Sequence, residues 1–446
     1  MRTRPIRCLG VGILLSIVLS GFASPVSGQT LETLHCFQGP DGGKIFSPLI
    51  QKSDGDFYGT TVTGGTNNYG TVFRITRDGG FTLLATFDFS NGANPYAGVV
   101  EGTNGNLYGT TRTGGTNAYG TAFQISTNGA LTTLVTFNTS KGIEPQGGLT
   151  MGSDGNFYGT THGGYPSPNA GTVFRMTISG TLTTLASFYG TNGAFPQSEL
   201  IFGNNGDIYG TAGNGGPLDG GLVFKLSTNG TLNTLVSFLG TNGLNPVGLT
   251  LGSDGNFYGL TMGGGETGDG TAFKMTPDGT FTTLVSFHGV TGEIPTGKLT
   301  QLNNGDFFGT TLFGGLGNGA IFRLTTNGIL TAFASFETGS NPRGGLVVGT
   351  DGNLYGTTEL GPSSGGTVFR VAMPVILTLK QNDSQIIVSW PTNAFDFTLQ
   401  TSADLQSPTN WITSIASPTI IGGEFVVTNT ITDSSKYYRL SRPRLF

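Results

Sequence analysis

Cysteine, histidine and tryptophan are nearly absent from this sequence, and each shortage removes a class of explanation. The two cysteines, Cys8 and Cys36, cannot make a disulfide framework for a chain of 446 residues. Cys36 takes a place that the rest of the sequence fills with Thr86, Thr136, Ser187, Ser237, Ser286 and Ser335, so a small packing residue is expected there. The three histidines, His35, His162 and His288, have no metal-ligand spacing, and no nucleophile elbow or phosphate-cradling loop occurs. No catalytic residue, metal ligand set or cofactor is therefore expected. Charged residues make up only 11% of the chain, and 21 Lys and Arg against 26 Asp and Glu nowhere gather into the basic patch that nucleic acid needs. One long apolar run exists, at residues 8–22, behind Arg2, Arg4 and Arg7 and ahead of small residues ending at Gly28. This is the layout of a secretory signal peptide over residues 1–28, and the run is short of the roughly 20 residues of a membrane span. The expected address is secreted, extracellular or cell-surface, with the periplasm as the other choice, and no integral span in the mature chain.

Glycine, by contrast, is abundant, with 77 residues, yet beyond residue 373 only Gly422 and Gly423 occur, and both tryptophans, Trp390 and Trp411, lie there. Composition thus divides residues 29–373 from 374–446. Within the first part a Tyr-Gly step returns at Tyr58, Tyr108, Tyr158, Tyr209, Tyr258 and Tyr355, with Phe308 in the remaining place, at intervals of about fifty residues. A second beat, mostly Gly-Thr-(Val/Ala)-Phe, places Phe at 73, 123, 174, 224, 273, 322 and 369. One unit, 249–287, reads as four short strands joined by turns such as Ser253-Asp254-Gly255-Asn256. The Asp-Gly pairs sit where tight turns need them, so turn geometry explains them better than calcium.

Seven units of four strands predict an all-β fold, a seven-bladed β-propeller. The seventh unit stops after its third strand, while 31–37 near the N-terminus is an unused strand of the fourth-strand type. Pairing the two closes the ring and leaves no open edge. Phe37, Phe87, Phe137, Phe188, Phe238, Phe287 and Phe336 end the fourth strands and, with the earlier Phe set, are expected to fill the gaps between blades. The phrase Asn-(Phe/Leu)-Tyr-Gly-Thr-Thr, then Gly-Gly, then Gly-Thr-Val-Phe resembles the bacterial choice-of-anchor GloVer tandem-repeat family across 31–371. That resemblance implies an exported, repeat-built protein with no assigned activity. Gly64-Gly65 is also similar to kelch blades, although the kelch tryptophan is missing. Residues 374–446 read as six short strands that resemble a reduced fibronectin type III-like sandwich, with Trp390 expected in its core.

Tight turns fall on one face of the ring and long variable loops on the other, which makes the loop face the expected binding face. Just after each second strand the chain carries Val62, Arg112, His162, Gly213, Met262, Leu312 and Glu359, a changing position in a monotonous frame. Tyr69, Tyr96, Tyr119, Tyr165 and Phe195 share these loops and could stack on sugar rings. The candidate ligand-binding residues are thus Tyr69, Tyr96, Arg112, Tyr119, His162, Tyr165, Phe195 and Glu359. The first strands offer Glu101, Glu199 and Lys298 as their ionisable residues. The expected function is recognition of polysaccharide or a surface partner protein. Alternatives are a hydrolase or lyase at the channel mouth, with Arg112, His162 and Glu199 as first suspects, and a purely structural envelope protein.

Overall fold

The computed structural model describes residues 6–9, 31–126, 128–164, 170–336, 340–362, 365–374, 377–382, 385–391, 397–403, 411–414, 416–421, 424–430 and 435–441. One compact unit holds the repeats, 28–347 with 354–371, and a second holds 372–446 with 1–27 and 348–353.

The repeat unit is a seven-bladed propeller. Six four-stranded antiparallel sheets follow one another along the chain, and the seventh joins Val347–Val348, Leu354–Thr358 and Thr367–Val371 to Leu31–Cys36. The closing register pairs Leu31 with Val371, Glu32 with Arg370 and Cys36 with Thr367. The truncated last unit is thus completed by the N-terminal strand, as the split repeat requires.

The repeated residues build the joints between blades. Each Phe that ends a fourth strand meets the third-strand Phe of the following blade. Phe37 lies 5.0 Å from Phe73, Phe87 5.2 Å from Phe123, and the series runs round to Phe336 at 5.2 Å from Phe369. Both partners are buried throughout, at 5% exposure or less. The glycine of the Tyr-Gly step lies beneath the same ring, since a Cβ on Gly59 would stand 2.6 Å from Phe73 Cζ. Threonine hydroxyls pair across the second and third strands, Thr61 with Thr71 and Thr111 with Thr121, both at 2.8 Å.

A feature the strand grammar did not contain is a register shift between third and fourth strands in all seven blades. It falls between Val72 and Phe73 in the first blade and between Thr33 and His35 across the closure. Such a bulge adds local twist, which blades around a common axis need.

In the second unit, Thr378–Asn382, Gln385–Pro391, Glu424–Thr430 and Thr419–Ile421 form one sheet, and Thr398–Ser402, Ile412–Thr413 and Ser435–Ser441 belong to another. Thr419–Ile421 is a strand beyond the six expected. Ile386, Val388, Trp390 and Val427 of one sheet bury against Leu399, Tyr438 and Leu440 of the other, so this is a small β-sandwich with Trp390 in its core. Ile6–Leu9, within the segment read as a leader, pairs antiparallel with residues 435–438 at the edge of the second sheet. Among the described residues no helix is long and apolar enough to cross a membrane.

Candidate functional site

The entry to each blade's first strand shapes the loop face. Residue 94 and its counterparts precede a proline and hold positive φ: Asn94 55°, Glu144 54°, Phe195 54°, Asn245 54°, Ile294 54° and Asn341 45°. A β-branched residue such as Ile294 rarely tolerates this conformation. Here it is fixed from both sides. The Asn94 amide donates to the Tyr69 carbonyl of the preceding blade, and the Asn94 carbonyl accepts from the Arg112 amide of its own blade. Glu144 repeats this between the Tyr119 carbonyl and the His162 amide. The prolines pack on the glycine that opens the preceding third strand; a Cβ on Gly70 would lie 2.7 Å from Pro95 Cδ.

Turned in this way, the residue after the proline reaches the mouth of the central channel. A cavity of about 640 Å³ opens there. Phe46, Tyr96, Gln146, Gln197, Val247, Thr296 and Arg343, one from each blade, line it together with Asn214, Asn245 and Met262. Farther along the axis Lys298 forms an ion pair with Glu199, from blades six and four. A Cβ on Gly248 of the blade between them would stand in ordinary contact with Lys298 Cβ, at 3.4 Å. Glu101, the other ionisable first-strand residue, is instead bound to Ser53 and Lys52.

One side of the mouth is a continuous series of contacts. Glu359, 7% exposed, accepts from Lys44 Nζ at 2.8 Å and from Arg343 Nε at 2.5 Å. The Arg343 guanidinium stands 5.3 Å from the Phe46 ring centroid, and Phe46 meets Tyr96 edge-on at 5.1 Å. Arg112 donates from Nη1 to the Tyr96 hydroxyl at 3.2 Å and from Nε to Glu144 at 3.1 Å. His162 stacks on Phe195 at 4.6 Å. Burial would raise the Glu359 pKa, but hydrogen bonds from Lys44 and Arg343 outweigh it and hold the carboxyl below its ordinary value. For His162, burial lowers the pKa, the Glu144 carboxylate opposes this and the Arg112 cation adds to it, so the imidazole stays neutral near pH 7.

Of the residues singled out in the sequence, Tyr96, Arg112, His162, Phe195 and Glu359 therefore join one series of contacts, and Tyr96 lines the cavity itself. Tyr69 and Tyr119 do not line it. Tyr69 packs on Phe89 at 5.4 Å, and both give their carbonyls to the strand entries. Tyr165 lies outside the described residues. Sequence reasoning missed Phe46, Gln146, Gln197 and Arg343. The signal available for the last three was the residue after each strand-entry proline, variable while the proline recurs; Phe46 follows Ile45 instead. Among the described residues no group of His, Cys, Asp and Glu is placed to hold a metal.

The pH dependence follows from His162. Its folded pKa is lowered from 6.5, so the unfolded chain binds more protons below that pH. Its contribution to stability is complete above pH 6.5 and declines as pH falls toward the lowered folded value. Urea melts at pH 7.5 and 5.5 should show a loss in the native protein that His162→Gln reduces. An unchanged loss would place the titrating group elsewhere.

Comparison with known proteins gives a repeat family and a fold. The Gloeobacter/Verrucomicrobia repeat matches residues 21–211 and 199–394. No curated protein matches. Among solved structures, a streptogramin B lyase is 15% identical with a TM-score of 0.56, over 78% of this chain and 98% of that one. A catalytically inactive virginiamycin B lyase from Staphylococcus aureus, solved with quinupristin, is 16% identical with a TM-score of 0.55, over 77% and 99%. An extracellular domain from B. thetaiotaomicron, described as part of a one component system, is 11% identical with a TM-score of 0.53. The match covers 90% of this chain and 54% of that domain. At these identities the likeness is one of fold.

Proposed function

The chain belongs to the Gloeobacter/Verrucomicrobia repeat family, and from that premise we propose that it is an exported binding protein that takes a saccharide chain at the mouth of its propeller. The observation that carries this reading is the cavity of about 640 Å³, walled by one residue from each of seven blades. Its size lies within the roughly 300–1,000 Å³ of small-molecule sites, and its wall combines aromatic faces with precisely placed polar groups. Phe46 and Tyr96 offer surfaces for the apolar face of a sugar ring, and Gln146, Gln197, Asn214 and Asn245 can both donate to and accept from hydroxyls. The similar extracellular domain from B. thetaiotaomicron agrees with an address outside the cytoplasm.

The test is a glycan and polysaccharide array probed with the purified protein. Selective binding is expected, with Tyr96→Ala lowering affinity about tenfold or more, since removing a buried aromatic anchor costs over 1 kcal/mol. Tyr119→Ala, away from the cavity, should bind as the native protein does. Loss on Tyr119→Ala but not on Tyr96→Ala would move the site to the outer loops, and retention of a protein ligand alone would favour a surface partner.

The second reading is a lyase or hydrolase at the same mouth. A neutral His162 supports it, because a neutral imidazole can accept a proton. Against it, Arg112 is engaged by Glu144 and Glu199 by Lys298. Replacing Arg112, His162 and Glu199 by Ala separates the readings: lost turnover with retained binding would make the protein an enzyme.

A further inference from the structure

The wall of the cavity has one charged residue, Arg343; the other polar side chains that line it are amides, hydroxyls and the Tyr96 phenol. The charge is not cancelled locally. Glu359 is shared, with Oε1 taken by Lys44 and Oε2 by Arg343, so two cations face one carboxylate. Arg343 spends Nε on this bond, and among the described residues Nη1 and Nη2 have no hydrogen-bond partner. Phe46 lies under the guanidinium at 5.3 Å and restricts where it can turn. The next pair round the mouth, Arg112 with Glu144, is balanced. Among the described residues a single excess positive charge thus stands at the wall, in a chain whose formal net charge is −5.

We infer that the ligand of this mouth is an acidic saccharide, a uronate-bearing oligosaccharide whose carboxylate pairs with the terminal nitrogens of Arg343. The inference rests on the saccharide reading above and narrows it. A guanidinium presents two parallel N–H donors that match the two oxygens of a planar carboxylate. Its Nε side is tied back to Glu359, so the fork is oriented before the ligand arrives and less side-chain entropy is lost on binding. Beside it the Phe46 and Tyr96 rings accommodate the sugar face, and Gln146 and Gln197 lie on the same wall for its hydroxyls. The shared carboxylate has a second consequence. Lys44 and Arg343 keep Glu359 ionised, and it holds the guanidinium in place while its one negative charge is shared between two cations.

The experiment measures affinity of the full protein by calorimetry for galacturonate, mannuronate, guluronate and glucuronate oligosaccharides, each beside its carboxyl-reduced neutral counterpart. The expected result is that at least one acid form binds about 10- to 100-fold more tightly than its neutral counterpart, as a charge-assisted hydrogen-bond pair provides. The preference should shrink with added salt. Arg343→Gln should abolish the preference, and Arg343→Lys, which keeps the charge but not the fork, should retain part of it. Thermal melts of each variant establish that the fold is intact, and Tyr96→Ala reports on the mouth independently. Equal binding of acid and neutral forms, both lost in Tyr96→Ala, overturns the acidic-ligand inference and leaves the mouth reading standing. Acid preference unchanged in both Arg343 variants also overturns it. Failure of every saccharide, acidic or neutral, here and on the array, overturns both.

Discussion

A chain that begins at Lys44 melts far below the full protein, or loses a cooperative transition altogether. The missing residues include Leu31–Cys36 with Phe37, the fourth strand of the seventh blade and the aromatic that follows it, and Gly43, whose carbonyl accepts from the Gly366 amide. Phe37 is fully buried and meets Phe73 at 5.0 Å and Phe81 at 5.6 Å, both in the first blade. His35 adds a stacked contact on Phe81 at 4.0 Å. Removing a buried Phe side chain alone costs about 3–5 kcal/mol, against a total stability of about 5–15 kcal/mol for a typical domain. The truncation also bares the Thr367–Val371 strand as an unpaired edge, which invites aggregation. Scanning calorimetry of the two chains is the measurement, and equal melting temperatures would mean that this strand does not hold the ring. The point variant Phe37→Ala refines it. Phe87→Ala removes the equivalent side chain at a joint within the continuous chain, so the two losses should agree within about 1 kcal/mol if the exchanged strand is as firmly held as a covalently continuous one.

Most of the fold is legible in the sequence because its determinants are local and repeated. The Asp-Gly or Asn-Gly turns, the Thr-Thr step and the two Phe sets each specify a contact within a blade or with the next one, and the Phe sets state the rule seven times. The exchanged strand is legible for the same reason, as a unit missing its end and a segment lacking its unit. The mouth is harder. Whether Tyr96, Gln146 or Gln197 faces the axis depends on the positive φ of the residue two places earlier, and on a bond from that residue to a loop of the preceding blade. Nothing local in Asn94-Pro95-Tyr96 announces that Tyr96 reaches the channel. The position after the second strand was found because it varies, and it proves to be the partner that receives the strand entry, with Val62, Leu312 and Glu359 buried. Variation drew attention to the strand entries, and the geometry shows which residues beside them line the cavity. The tyrosines divide similarly: Tyr96 follows a proline and turns inward, while Tyr69 and Tyr119 stay with their own loops.

Two glycines of one blade, alike in sequence, should fail for different reasons when replaced by alanine. Gly259, of the Tyr-Gly step, has no unusual φ, yet a Cβ there would stand 2.3 Å from Phe273 Cζ and 2.9 Å from the Gly248 carbonyl oxygen. Gly255, in the Asp-Gly turn, has nothing within 4 Å of an added Cβ except Asn204 Nδ2 at 3.7 Å, but its φ is +78°. Gly259→Ala therefore overpacks the joint between strand and ring, at about 1–3 kcal/mol. Gly255→Ala strains only the backbone, at about 1–2 kcal/mol. The magnitudes overlap, so the difference must come from a second substitution. Phe273→Leu shortens the side chain above Gly259 and should recover part of the loss in Gly259→Ala, giving a favourable coupling in a double-mutant cycle measured by urea denaturation. The same Phe273→Leu should be additive with Gly255→Ala, because no shared contact links them. Additivity in both cycles would mean that the Tyr-Gly glycine answers to the backbone after all, and that the Phe ring is not what fixes glycine at this step in every blade.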